Sequence, residues 1–333
     1  MRKPPAILFL TLTIISLAYP RQRPGTPPAA DQRAAQVLIT FGVTVSDKSI
    51  KSPNLVGGLD KAAFTVYDND IPQEIAFFAE GGAPLSVGIV YDLSGSMKPN
   101  RADAGKMNAG IRAGLAQFIR AGNASDEYFL MGFSKGVELL SDWTRDGESL
   151  PGKTEVARPK GQTAFYDACY AAAEKLGREA RHRPVLVLIS DCEDNASRRG
   201  FGEVRRALLE GMAQVYVVMP LRYASDGGGG SALYDACGDT RKLASETGGR
   251  VYDRGKTPGI SEVGTYENIF EHMSLELRRQ YTIGYKPSRP AEDGKWHRIK
   301  VVVKAAKDSS GKTPSLSVFS REGYLAKRGA LNK

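Results

Sequence analysis

Asp92, Ser94 and Ser96 stand at alternate positions directly after residues 85–91, an apolar run that reads as a buried strand of a parallel sheet. A carboxylate and two hydroxyls therefore leave the strand's carboxyl end together. In open α/β sheets that end faces the ligand crevice, and clustered oxygen donors there suit a hard divalent cation. Two further segments bring donors of the same kind. Thr163 lies in a loop just before a helix, and Asp191 closes the apolar run that starts at Val185. The candidate metal set is thus Asp92, Ser94, Ser96, Thr163 and Asp191. Mg2+ prefers six oxygen ligands and is often held by one or two carboxylates while keeping waters. Hydroxyl ligands leave it underneutralised, which gives an acidic partner residue an electrostatic reason to bind. Each segment alone also has a structural reading, as a capped turn at Asp92, an N-cap at Thr163 or a helix cap at Asp191. Their order in the chain and their shared place at strand ends favour the cation.

Other chemistries are less well served. Aspartyl phosphotransfer needs a second acid two positions after the nucleophile, and Ser94 stands there. No Gly-x-Ser-x-Gly elbow occurs, and His182, His272 and His297 have no recognisable relation to Ser94 or Ser96. The basic neighbours of His182 and His297 place both at the surface. Gly311, Lys312 and Thr313 lack the first glycine of a phosphate loop, since Ala306 occupies its position, and the glycine run 227–230 lacks the strand-to-helix context of a dinucleotide site. No catalytic residue is assigned, and the chain is not expected to be an enzyme.

The elements that would position the set alternate. Strands are expected at 85–91, 127–133, 185–189, 215–219 and 250–252, and helices at 102–120, 164–176, 203–209, 236–246 and 267–279, with a short antiparallel edge strand at 137–140. This predicts an α/β domain over 84–280: a doubly wound, mostly parallel, Rossmann-like sheet whose first and fourth strands adjoin where the winding reverses. A small β module is expected at 36–80. Within it, Asp68, Asn69 and Asp70 form a turn, because the glycine and distal glutamate of a calcium loop are missing. Beyond the sheet, β runs at 281–285, 299–303 and 316–319 lie in a segment 281–325 that either rejoins the N-terminal module or forms a separate hairpin.

In this order the motifs resemble the von Willebrand factor A domain, whose metal-ion-dependent adhesion site is written Asp-x-Ser-x-Ser with a distant threonine and a distant aspartate. The resemblance covers about 84–280. It implies that Ser94, Ser96 and Thr163 bind Mg2+ directly, with Mn2+ or Ca2+ as alternatives, and that Asp92 and Asp191 act directly or through water. It also implies one coordination position open to the carboxylate of a protein ligand. More narrowly, residues 64–68, 83–88, 163–168 and 281–285 are similar to bacterial, acidobacterial-type members of the family. The family usually has glycine after the last aspartate, where this chain has Cys192. That thiol either packs as a small hydrophobe or makes the site redox-sensitive, and a bridge from Cys169 to Cys192 is an open pairing.

The bulk properties are those of an ordinary globular protein, with 333 residues, 41% hydrophobic and 25% charged. Three cysteines cannot all pair, so there is no disulfide scaffold. The net charge of +9 is concentrated after residue 294, where ten bases face only Asp308 and Glu322, and the tail 326–333 is basic. No nucleic-acid module accompanies these bases. They read as a solvated face, with an anionic envelope surface as the other reading. Residues 1–20 have the layout of a secretory signal: Arg2 and Lys3, then an apolar stretch short for a membrane span. No tidy cleavage site follows, so retention as an anchor stays open. Residues 21–35 read as a disordered spacer. The sequence therefore points to an exported, periplasmic or extracellular protein that binds a protein partner in adhesion or at the envelope. The alternatives are an envelope scaffold with a structural metal and a metal-dependent hydrolase.

Overall fold

Eight consecutive residues, Leu85–Asp92, form a strand (β5) in which every residue is buried. The computed structural model describes residues 38–47, 55–97, 102–156, 161–219, 237–253, 265–288, 293–304 and 313–326, without the side chains of Ser96 and of residues 102–105. The signal, the spacer, the glycine run 227–230, Gly311, Lys312 and the tail beyond Ala326 lie outside the described residues.

On one side β5 pairs in parallel with β6 (Glu127–Phe133), and on the other with β8 (Arg183–Ile189). β9 (Gln214–Met219) and β10 (Arg250–Asp253) extend the sheet in parallel beyond β8, while β7 (Val137–Thr144) runs antiparallel at the far edge on β6. The order is β10-β9-β8-β5-β6-β7, so the winding reverses between β5 and β8, the first and fourth strands. Helices cover both faces, which is why the central strands are apolar throughout. α1 (Ala102–Arg120) and α6 (Tyr266–Arg279) bury Ile111, Leu115, Phe118, Ile269 and Phe270 against Val87, Ile89 and Tyr91. α3 (Phe165–Glu179), α4 (Phe201–Glu210) and α5 (Gly238–Thr247) bury Ala168, Ala172, Leu176, Leu208 and Leu243 on the opposite face. There Gly88 makes room for Phe129, whose ring a Cβ would meet at 2.4 Å. A seven-residue helix, α2 (Leu150–Val156), was not expected; with Pro151 and Gly152 in its first turn it carries no helical signal.

Two antiparallel sheets flank this one. The first has the order β13-β1-β11-β4 and the second β14-β12-β2-β3, with β1 Ile39–Asp47, β2 Phe64–Asp68, β3 Ile71–Gln73, β4 Ile75–Glu80, β11 Tyr281–Tyr285, β12 Trp296–Val303, β13 Leu316–Ser320 and β14 Gly323–Leu325. Strands from both ends of the chain alternate in the first sheet, and in the second they meet where β12 pairs with β2. Phe41, Val43, Phe64, Val66, Tyr281, Ile283 and Ile299 share one core, and the Phe64 and Tyr281 rings lie 4.8 Å apart across it. The α/β sheet is inserted between β4 and β11, whose residues Glu80 and Tyr281 are register partners. Gly81 and Gly82 turn the chain out of β4 at positive φ and donate to the Gln280 and Arg278 carbonyls.

The Asn69 and Asp70 turn between β2 and β3 has both residues at positive φ, the two-residue hairpin geometry. Asp68 is buried and accepts from Tyr285 and Tyr324 hydroxyls at 2.8 and 3.1 Å, with His297 Nδ1 at 3.0 Å. His297 is therefore a buried residue, not a surface one. Its basic neighbour Arg298 points the other way because side chains alternate along a strand.

A polar network joins the sandwich to the inserted sheet. Its centre is Glu276, fully buried on α6, which accepts from Arg250 Nε at 2.6 Å, Tyr216 at 3.2 Å and Thr44 of β1 at 3.2 Å. Gln280 donates to Thr44 and Tyr216 and accepts from Arg183. Removing one partner of a buried charge pair strands the other. Glu276→Ala should cost about 3–5 kcal/mol by that rule, read as a lower urea midpoint, while Thr44→Val, which removes the bonds to both Glu276 and Gln280, should cost about 2 kcal/mol, the worth of two hydrogen bonds.

Candidate metal centre

β5 delivers Asp92 at its last position, and the backbone turns at once. Leu93 N–H donates to Phe133 O at 2.7 Å, Ser94 N–H donates to Asp92 Oδ1 at 2.8 Å, and a single 3-10 turn, Gly95–Met97, follows. β8 ends one strand over, so Ser190 and Asp191 emerge beside it. The Ser190 hydroxyl donates to Asp92 Oδ2 at 2.6 Å, which ties the two strand ends through side chains. The Thr163 loop is held from both sides. Gly95 N–H donates to Gly161 O at 3.1 Å, while Asn195 and Ala196 N–H donate to Thr163 O at 2.9 and 3.1 Å. The Asn195 side chain in turn accepts from Thr163 N–H at 2.8 Å.

Asp92, Ser94, Thr163 and Asp191 are all buried in these interlocked loops. The backbone of Ser96 lies in the same turn. Sequence reasoning missed the groups that hold them: Ser190, Asn195, Asp167 and Asp194. Asp167, in the first turn of α3, accepts from Arg198 and Arg199 N–H at 3.1 and 3.0 Å, and Asp194 accepts from Tyr166 N–H at 3.3 Å. Together they fasten the loop after β8 to the start of α3 and so fix where Thr163 sits. Ser190 was detectable as a hydroxyl between a strand end and its aspartate. Asn195 carried no signal.

Burial pushes the Asp92 carboxyl up to about 6, and the charge of Asp191 pushes in the same direction; hydrogen bonds from Ser190 and Ser94 oppose them. Two acids withdrawn from water within reach of each other's charge favour a proton or a cation between them. The donors are all oxygens, two of them carboxylates, which fits a hard divalent ion. Among the described residues no group of three or more His, Cys, Asp or Glu side chains is placed to hold a metal, so a cation here depends on hydroxyl oxygens.

Cys192 follows Asp191 at φ +63°, the left-handed region that favours glycine, and is buried. The loop therefore keeps a glycine-like backbone with a thiol in it. Cys237 Sγ donates to Asp191 O at 3.2 Å. A hydrogen bond with Cys237, and then burial, hold the Cys192 thiol well above the usual range. All three cysteines are free, so Cys169 and Cys192 are not bridged.

Because the folded pKa of Asp92 lies above its unfolded value, its contribution to stability is full below about pH 4 and is lost as pH rises to about 6. At 1.36 kcal/mol per unit the loss is about 3 kcal/mol. Cation-free Asp92→Asn, which cannot ionise, should therefore be more stable than the parent chain at pH 7 and lose that advantage at pH 4, as urea titrations at the two pH values would read.

Residues 87–193 match the von Willebrand factor type A domain. The chain is similar to solved structures of the conserved hypothetical protein BatB from Bacteroides thetaiotaomicron, with 17% identity over 58% of this chain and 97% of that one and a TM-score of 0.42. It is similar also to the PilB minor pilin from Streptococcus sanguinis, with 13% identity, 60% and 63% coverage and a TM-score of 0.41. For the vWF domain of the type V pili tip protein Mfa5 from Porphyromonas gingivalis the values are 20%, 33% and 38%, and 0.29. No curated protein matches. The matched residues run from β5 through the loop after β8, and the strand order reverses between those two strands; that part of the α/β sheet is similar to a von Willebrand factor type A domain, and β9, β10 and the antiparallel sheets lie outside the match.

Proposed function

We propose that the chain is an exported protein-binding module whose Asp92, Ser94, Ser96, Thr163 and Asp191 hold Mg2+, and whose partner offers an acidic side chain to that ion. The observation that carries this reading is the pair of buried carboxylates, Asp92 and Asp191, at the ends of adjacent parallel strands, with the Thr163 loop hydrogen-bonded to both flanking loops. A divalent ion bound there supplies positive charge at the rim, which a carboxylate from outside can neutralise. The chain's own residues do the rest. Asp92 and Asp191 supply two negative charges, Ser190 fixes the orientation of the first, and Asn195 fixes the backbone of Thr163.

Recognition without turnover fits the placement of the histidines. His297 sits against Asp68 in the sandwich, His272 near Tyr252 on α6, and His182 just before β8, at the amino end of the strand whose carboxyl end carries Asp191. Export rests on the charged and then apolar layout of residues 1–20.

Mg2+ at about a hundred times its dissociation constant should add about 2.7 kcal/mol to stability, reversed by a chelator. Asp92→Ala and Thr163→Ala should fold and lose that gain. The parent chain should retain an envelope protein in Mg2+ and release it with EDTA, and neither variant should retain it. Stabilisation without Mg2+-dependent capture would leave a structural metal in a scaffold; hydrolysis dependent on Ser94 would make the chain an enzyme; no response to the ion would end the proposal.

A further inference from the structure

α5 and β10 of the inserted sheet, with β12 and β13 of the sandwich, line an open cleft of about 660 Å3, a volume in the range of ligand sites. Two of these strands are bare along one side. β10 has β9 as its neighbour and β13 has β1, so among the described residues each ends its sheet. Residues 318–322, from β13 onward, line the cleft without a break. Val251 and Val318 give it apolar walls, and Phe319 stands 40% exposed there with the Arg250 guanidinium over its ring at 4.2 Å. The charge is one-sided. Arg241, Arg250, Lys300 and Arg321 line the cleft, and Glu322 is the one acid among the described residues that do. Arg250 is paired with Glu276 at 2.6 Å, and Lys300 is exposed. Arg321 is buried, gives Nε and Nη1 to the carbonyls of Gly323 and Met212 at 2.8 and 3.0 Å, and has no partner for Nη2 among the described residues.

A buried charge that meets carbonyls and no carboxylate is costly, and an arriving anion offsets that cost. An unpaired strand edge likewise offers main-chain donors and acceptors to an extended peptide. We propose that the cleft takes an extended acidic segment of a partner protein, which adds a strand to the free edge of β13 and holds its carboxylates in the field of Lys300 and Arg321. Five such residues, the length of β13, reach about 17 Å. Charge argues against this chain as the occupant. The segments beyond two of the lining strands, 254–264 after β10 and 305–312 after β12, each carry two bases and one acid, so neither complements the cleft. A second copy brings a net charge of +9 against the same sign. An anionic lipid surface would satisfy the charge and leave both strand edges bare. The cleft shares no residue with the candidate metal set, so this inference stands apart from the cation reading.

The test titrates the full chain with short labelled peptides in which valine alternates with glutamate, glutamine or lysine, read by fluorescence anisotropy. The glutamate peptide should bind, the glutamine peptide should bind about fivefold or more weaker, and the lysine peptide should not bind. Binding should be the same in Mg2+ and in EDTA and should weaken as salt is raised. Methylating the backbone nitrogens of the glutamate peptide removes the strand hydrogen bonds and should abolish binding, and amides of residues 316–320 should exchange more slowly in the bound chain. Lys300→Glu, at an exposed position, should keep the parent's thermal transition and weaken binding about fivefold or more. No binding of the glutamate peptide up to about 1 mM, equal binding of the lysine peptide, tolerance of the methylated peptide or unchanged exchange at 316–320 would overturn the proposal. Loss of binding in EDTA would also overturn it, by seating the peptide at the metal centre. Self-association that the peptide dissolves would assign the cleft to a second copy, and retention on phosphatidylserine vesicles without peptide binding would assign the face to lipid; either result overturns the partner segment.

Discussion

β5 meets water on neither face and at neither edge, and the rest of the molecule is arranged around that fact. Such a strand needs a parallel neighbour on each side and helices above and below. The winding must then reverse beside it, and its carboxyl end opens between two loops that leave in opposite directions. Asp92 inherits the burial of its strand. Its carboxylate is held by a backbone amide and a neighbouring hydroxyl and feels a second acid on the adjoining strand. The unusual electrostatics of the centre thus come from strand order, and the loops serve to hold what the strands bring together.

The joint between the inserted sheet and the sandwich is polar. Glu276, Gln280, Thr44, Tyr216 and Arg183 are mutually hydrogen-bonded in a place where apolar side chains would also pack. Burial pushes Arg183 down to about 10, a sign of how dry this layer is. Buried polar groups add little net stability, but each demands its partner in one geometry. The network therefore fixes how α6 meets β1, which greasy contacts alone would leave less specified.

The central sheet was legible because parallel strands buried on both faces read as unbroken apolar runs, and because Asp92, Thr163 and Asp191 end such runs or precede a helix. What escaped was long-range or alternating. Asp68 and His297 are 229 residues apart and meet through strand pairing that leaves no local trace. The charge of Arg298 suggested an exposed strand, whereas the period of two turns its neighbour inward. β14, three residues long, and β7, whose side chains are largely exposed, offer too little apolar pattern to set their bounds. Asn195 escaped for another reason: it acts on the backbone of a ligand candidate, and nothing in its own surroundings marks that role, whereas the place of Ser190 between a strand end and its aspartate was a signal.

Because the α/β sheet interrupts the sandwich between β4 and β11, the order of synthesis matters. The inserted sheet is contiguous in the chain and can close as soon as it has emerged. β1 cannot, since both its neighbours, β11 and β13, are made only after that sheet is complete. At about 5–20 residues per second, that wait is on the order of ten seconds or more. Throughout it, nascent β1 holds two bare edges, and a chain halted before Tyr281 would carry a finished α/β fold beside half a sandwich.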